Sequence, residues 1–318
     1  MRPVAARAPL ALESEDDFRA SVIEGLSRRH KALPSRFFYD ARGSALFEEI
    51  TALPEYYLTR TETAILEEKA EELIDGHFDA SVLVEFGSGS SRKTEILLGR
   101  RPAPVAYVPI DISQSALEAA ASRLRARFPE LDVRPVVGDF LRGAALPADL
   151  ARRRKIGFFP GSTIGNFTTA ESIALLRTMR VMFAPNGVLL IGADLKKDLG
   201  RLLPAYDDAA GVTAAFNLNL LARVNRELQG AFKLDAFRHE AIYNAAEGRI
   251  EMRLVSREDQ IVSAAERRFR FRRGEAIHTE NSYKYGVEQF RDIARLAGWT
   301  PGRVWTDPEN LFSVHELL

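Results

Sequence analysis

The sequence predicts an α/β fold: a doubly wound parallel sheet joined to a second, smaller α+β unit. Three observations predict it. Short apolar runs alternate with amphipathic helical segments from residue 61 to about 195. The apolar runs lack the in/out alternation of a half-exposed strand, as expected for parallel strands covered on both faces. Beyond about residue 195 the pattern changes to runs with turn signals between them, which read as antiparallel strands.

The elements follow in order. Residues 16–30 and 61–75 read as helices, the second with Thr61 as a candidate N-cap and apolar residues at 65, 66, 70, 73 and 74. The aromatic-rich stretch between them has no single period. "SVLVEF" (81–86), "PVAYVPID" (104–111), "LDVRPVVGDF" (131–140), "KIGFFPG" (155–161) and "VLLIGAD" (188–194) are the five core strands. The helix "SQSALEAAASRLRARF" puts Leu117, Ala120, Ala121, Leu124 and Phe128 on one face, and Thr168 with Glu171 forms a capping-box pattern. Residues 206–228 read as helical, 233–272 as antiparallel strands with a turn at 245–248, and 286–297 as a helix ended by Gly298. Closing strands near 301–306 and 311–317 return to the sheet. The division expected is 61–200 with 283–318 as one domain and 1–60 with 201–282 as the smaller one, with a cleft between them at the carboxyl edge of the sheet.

Composition narrows the function. The chain has 318 residues, with 44 Lys plus Arg against 44 Asp plus Glu. A neutral balance argues against nucleic-acid binding. With no Cys, thiolate catalysis and zinc–sulfur sites are excluded, and the five His lack metal-ligand spacing. No run is long enough to span a membrane and the first residues do not read as a signal peptide. The reading is a cytoplasmic monomer acting on a small molecule, with no metal, membrane or nucleic-acid partner.

"VEFGSGSSRKTEILL" places Gly87 and Gly89 between the first strand and a helix, where backbone amides suit an anionic or polar ligand. Asp111 ends the second strand, where a carboxylate can take both ribose hydroxyls. A dinucleotide fingerprint wants a third glycine where Arg92 stands. To this point NAD and S-adenosylmethionine fit equally. "VEFGSGSS" then resembles the acidic-x-G-x-G motif of class I methyltransferases, with Glu85 as the acid, and Asp139-Phe140 ends the third strand, where those enzymes hold adenine. The Pro-Pro-aromatic motif of amino-methylating DNA enzymes is absent after the fourth strand, which reads Phe159-Pro160-Gly161-Ser162. A small amine or amino acid is the better substrate.

The chain resembles, nearly end to end, the S-adenosylmethionine-dependent histidine Nα-methyltransferases of ergothioneine biosynthesis. "PSRFFYDARGSALFEEIT", "LPEYYLTRTE", "VEFGSGSSRKT", "YVPIDIS", "FFPGSTIGNF", "YDDAAGVTAAFN" and "HTENSYKY" carry the resemblance. It implies a Rossmann-like class I methyltransferase domain with a substrate domain. It also implies transfer of three methyl groups in turn to the α-amine of L-histidine, giving hercynine. For the cofactor, S-adenosyl-L-methionine, it implies Gly87, Ser88, Lys93, Asp111, Asp139 and Phe140. For the substrate it implies Tyr56, with Gly161 and Asn166 on the α-amino-acid end, Tyr206 on the carboxylate, and Glu280 with Ser282 on the imidazole. Tyr39 is implied near the methyl-accepting nitrogen, so Tyr39 and Asn166 are the catalytic candidates.

The chemistry requires a neutral amine, because a protonated one has no lone pair, and burial lowers an amine's pKa. No dedicated base is assigned. Aromatic faces at Tyr39, Phe47, Tyr56 and Tyr57 can tolerate the cationic product, although core packing is the plainer reading of Phe47 and Tyr57. Met252 could line the ring pocket or simply pack in the core. A relative acting on another amino acid, such as tryptophan, is the rival within the class, opposed by Glu280 and Ser282 because an indole has one donor. A non-catalytic binding module is the rival outside it, opposed by the intact strand-end acids and Asn166.

Overall fold

A computed structural model describes residues 15–140 and 145–318. Its helices are α1 (Glu15–Ser27), α2 (Ala41–Thr51), α3 (Tyr57–Ile74), α4 (Arg92–Leu98), α5 (Gln114–Arg127), α6 (Thr169–Phe183), α7 (Leu199–Leu202), α8 (Val212–Glu227) and α9 (Val287–Leu296). Its strands are β1 (Lys31–Ala32), β2 (Val82–Phe86), β3 (Ala106–Asp111), β4 (Asp132–Val133), β5 (Val136–Val137), β6 (Lys155–Phe159), β7 (Val188–Asp194), β8 (Phe237–Asn244), β9 (Arg249–Ser256), β10 (Gln260–Ala264), β11 (Arg267–Phe271), β12 (Ala276–Tyr283), β13 (Pro301–Thr306) and β14 (Phe312–Leu317).

Every residue of β2, β6 and β7 is buried. The cause is a helix layer on each side. Val82, Val84 and Phe86 face Leu175, Leu176, Met179 and Phe183 of α6 and Phe290 and Ile293 of α9. Leu83, one residue out of phase, faces Leu66 and Leu73 of α3 and Leu97 of α4. Each such apolar side chain contributes on the order of 1.5–3 kcal/mol on burial, so both faces must be covered for the sheet to persist. The strand order is β13-β14-β7-β6-β2-β3-β4, with β5 also paired to β3. The pairs from β7 through β4 are parallel, while β14 runs antiparallel between β13 and β7. The order reverses at β2, which opens a crevice above β2, β3 and β6.

The smaller unit is a four-stranded sheet, β1-β12-β9-β8, with the hairpin β10-β11 beside it. Its core draws on α1, α2 and α8, through Phe18, Leu46, Phe216 and Leu220 among others. A register shift at Thr279 sets Glu280 opposite Met252, and the Thr279 hydroxyl donates to the Met252 carbonyl (3.0 Å).

Three element boundaries differ from expectation. Helix α3 begins at Tyr57, one turn before Thr61, which therefore caps nothing. The third predicted strand forms two short pieces, β4 and β5, on either side of Arg134-Pro135; both keep one register with β3, and the Arg134 and Gly138 amides bond the Tyr107 and Asp111 carbonyls. The 206–228 helix starts only at Val212: Gly211 adopts φ +74°, and the Asp208 carboxylate takes the amides of Val212 and Thr213 (2.9 and 2.7 Å). Tyr206 thus lies in a turn. The capping box at Thr168 and Glu171 is formed, and α9 ends before Gly298 at φ +90°.

Candidate active site

Above the reversal point lies a cleft of about 1470 Å³, lined by Gly87, Ser88, Lys93, Asp111, Asp139 and Phe140 from the parallel sheet. Gly87 and Gly89 hold φ +65° and +48°, which a side chain would resist. Their amides are bonded within the protein. Gly87 and Ser88 donate to the Ile110 carbonyl, and Gly89 donates to Asp111 Oδ2 (2.8 Å). The loop thereby helps to aim Asp111, whose Oδ1 also accepts from the Ser113 amide (2.9 Å). Burial pushes the Asp111 carboxyl above its ordinary value, opposed by these amides. Phe140 packs edge-on against Phe159 and Phe86, with centroids 5.5 and 5.9 Å apart, and closes the floor beneath Gly87. Glu85 lies below, taking the hydroxyl of Tyr107, and burial pushes its carboxyl up to about 7.

A side pocket opens from this cleft, lined by Tyr39, Tyr56, Gly161, Asn166, Tyr206, Glu280 and Ser282, with Phe47, Phe216 and Met252 as apolar wall. The first seven come from five separated segments: the turn before α2, the start of α3, the loop after β6, the turn after α7, and β12. Tyr39, Phe47, Tyr56, Gly161, Thr163, Asn166 and Glu280 border both spaces, so the junction is built by them. Met252 belongs to the smaller unit's core and to the pocket wall at once. Burial pushes the Glu280 carboxyl up to about 7, opposed by Lys284. Tyr39 and Tyr56 are pushed above the ordinary phenol value, by burial first and Glu280 or Tyr206 next. Both therefore remain neutral phenols.

The loop from Gly161 to Asn166 is tightly specified. Gly161 has φ +81° and Ser162 φ +59°, and Thr163 Oγ1 donates to the Pro160 carbonyl (3.1 Å). Ser162 Oγ accepts the Asp194 amide (2.9 Å). Ser162 and Thr163 shape the turn, and Asn166 ends its last helical step.

The description of a family of "histidine-specific methyltransferase, SAM-dependent" proteins matches residues 18–318. This chain belongs to that family. A histidine N-alpha-methyltransferase of Mycolicibacterium smegmatis is 44% identical over 93% of each chain. That of Mycobacterium tuberculosis is 40% identical, again over 93% of each. Ergothioneine biosynthesis protein 1 of Neurospora crassa is 29% identical over 87% of this chain and 32% of its own length.

For this histidine-specific methyltransferase family member, the cleft fits S-adenosylmethionine on its own geometry. Ser88 Oγ is buried without a hydrogen-bond partner, and Asp111 is a carboxylate held by amides at a sheet edge. An orphaned hydroxyl costs roughly 1–3 kcal/mol unless a ligand meets it. A sugar-bearing, amino-acid-bearing ligand supplies the missing partners.

Several residues of the site were not read from the sequence. Glu62, fully buried on α3, accepts the Gly161 amide on both oxygens (3.0 and 2.9 Å) and pairs with Lys93. Gly192 makes room for it, since a Cβ there would lie 2.3 Å from Glu62 Oε1. One carboxylate thus joins the cofactor-side lysine to the loop that carries Asn166. The signal was a charge on the apolar face of α3, between Leu58 and Ile65 and Leu66. Asp194, at the end of β7, accepts from the Tyr57 hydroxyl (2.9 and 2.8 Å), Lys197 (2.5 Å) and Lys284 (2.7 Å). Tyr57 is therefore a hydrogen-bonding residue and not only packing.

Proposed function

We propose that the chain catalyses S-adenosylmethionine-dependent trimethylation of the α-amino group of L-histidine to hercynine, the first step of ergothioneine biosynthesis. The observation that carries this reading is the side pocket itself. A carboxylate, Glu280, and a hydroxyl, Ser282, stand two residues apart on β12 and line the pocket together with Gly161 and Asn166 of the loop after β6, and all but Ser282 also border the cofactor cleft. That set of groups suits an amino acid whose side chain carries two nitrogens and whose amine lies near the cofactor.

In this reading residues 61–200 and 283–318 hold the cofactor and residues 1–60 and 201–282 form the substrate domain. Asp111 takes the ribose hydroxyls, Asp139 and Phe140 the adenine, and Gly87, Ser88 and Lys93 the amino-acid end. When bound, the sulfonium supplies an electrophilic methyl group. The chain's own work is to bind, orient and desolvate. Asn166 and the Gly161 backbone orient the α-amino-acid end, and Tyr206 meets the carboxylate. The apolar surroundings of Phe47 and Phe216 disfavour the protonated amine, so its proton leaves before transfer. The neutral phenol oxygens of Tyr39 and Tyr56 accept the remaining amine N–H bonds and aim the lone pair. Their ring faces, together with Phe47, tolerate the quaternary cation that results.

The test is calorimetric titration of histidine and of tryptophan into the protein with S-adenosylhomocysteine bound. Histidine is expected to bind at least 100-fold more tightly, on the order expected for a polar site losing its partner. Equal binding, or preference for tryptophan, would reassign the substrate.

A further inference from the structure

Lys284 has no part in the mechanism above, yet it lies directly beneath the ring end of the pocket with a side chain of 0% exposure. Its Nζ stands 2.7 Å from Asp194 Oδ2, 2.7 Å from the Tyr206 hydroxyl and 2.8 Å from Ser282 Oγ. An ammonium has three N–H donors and no acceptor, and here each donor has one oxygen. The Tyr206 and Ser282 oxygens are themselves 2.8 Å apart, so one of their two protons is used between them. A single hydroxyl proton remains for a ligand, together with the remaining lone-pair capacity.

We infer that Lys284 is a positioning residue that sets the hydrogen-bond polarity of the ring pocket, by fixing the Tyr206–Ser282 pair so that it offers the substrate one donor and one acceptor. This rests on the histidine reading of the site. The free proton belongs on Tyr206, where a substrate carboxylate would take it. Ser282 is then left as an acceptor only, and it meets a ring nitrogen that carries hydrogen. Glu280 faces the other nitrogen. An imidazolium ring, or a neutral imidazole meeting a protonated Glu280, satisfies both oxygens, whereas an indole leaves one of them unpaired. Without Lys284, both hydroxyls regain rotational freedom and the pocket no longer demands an N–H at Ser282.

Asp194 does not depend on Lys284 alone. Lys197 and Tyr57 also bond it, so a Lys284→Met protein keeps a compensated carboxylate. The experiment measures histidine KM, kcat and cofactor Kd for wild type, Lys284→Met, Ser282→Ala and the double variant. Lys284→Met is expected to raise the histidine KM about 10-fold or more, with cofactor Kd within about twofold, as for loss of one charge-assisted hydrogen-bond arrangement. In the double variant the KM effects should be far from additive, since the lysine acts through the serine. Additive effects, an unchanged histidine KM, or an equal loss of cofactor affinity would overturn the role. Should Lys284→Met fail to fold, Lys284→Gln keeps a donor toward the hydroxyls. A KM rise of about 3- to 10-fold is then expected, and a wild-type KM would overturn the inference. Wild-type protein that methylates no histidine would overturn the underlying reading instead, whatever the variants do.

Discussion

The two halves of the cleft are built by different means. The half read as the cofactor's lies at the ends of adjacent parallel strands, on short strings of chain in which backbone amides aim one carboxylate, Asp111. The substrate half is made from side chains of five separated segments, and a buried polar network of Asp194, Lys284, Tyr206 and Ser282 supports it. A half made of strand ends is fixed once the sheet forms. The other half exists only after the smaller sheet, α2 and α8 have packed together. Glu62 ties the two together by hydrogen bonds, through Lys93 and the Gly161 amide.

If that contrast is right, variants on the two sides should separate cleanly in kinetics. The largest effect expected is from Glu280→Ala, which should raise the histidine KM about 10- to 100-fold while leaving cofactor Kd nearly unchanged, as for loss of a hydrogen bond to a charged group. Comparable weakening of both would show that the halves are not separable at Glu280. Asp111→Asn should do the reverse, raising cofactor Kd about 10-fold with little change in histidine KM at saturating cofactor. Glu62→Gln sharpens the comparison, because it lies at the joint. It should lower kcat about 10-fold, by loosening the placement of the Gly161–Asn166 loop, and weaken both ligands modestly. An effect confined to one ligand would remove Glu62 as the link.

The smallest effect is on stability without ligands. Glu280 has its pKa raised from 4.5 to about 7 by burial. Between those values the unfolded chain binds fewer protons than the folded one, so the group's contribution to stability falls as pH rises. Below 4.5 the carboxyl is protonated in both states and the penalty vanishes. Thermal melts of wild type and Glu280→Gln should therefore diverge as pH rises from about 4.5 to 7. The variant should gain about 2–4 °C at the upper end. Glu85 titrates in both proteins and cancels in the difference. Parallel melting curves would mean that Glu280 is better solvated than its position implies.

The contrast also explains what could be read from the sequence. The parallel sheet was legible because β2, β3, β6 and β7 are mainly apolar with no in/out alternation, and Gly87, Asp111 and Gly161 stand at or just past a strand end. Thr61 and Gly211 misled or were passed over because local propensity competed with packing: Leu58 extends α3 backward, and the Asp208 carboxylate delays α8. The substrate half had no local signature. Nothing in "HTENS" or "PEYY" alone says that these strings meet, and only the end-to-end resemblance joined them. Asp194 ends its strand as Glu85 and Asp111 nearly do theirs, so the rule that found those acids also reaches it. Lys284, two residues past Ser282, has its meaning only in three dimensions, as the donor to two hydroxyls that face the pocket.

The most direct measurement mixes the purified protein with S-adenosylmethionine and L-histidine and follows product mass, with fragmentation to locate the added methyl groups. The account predicts gains of one, two and finally three methyl groups, all on the α-nitrogen. No gain, or methyl groups on the imidazole ring, would contradict it.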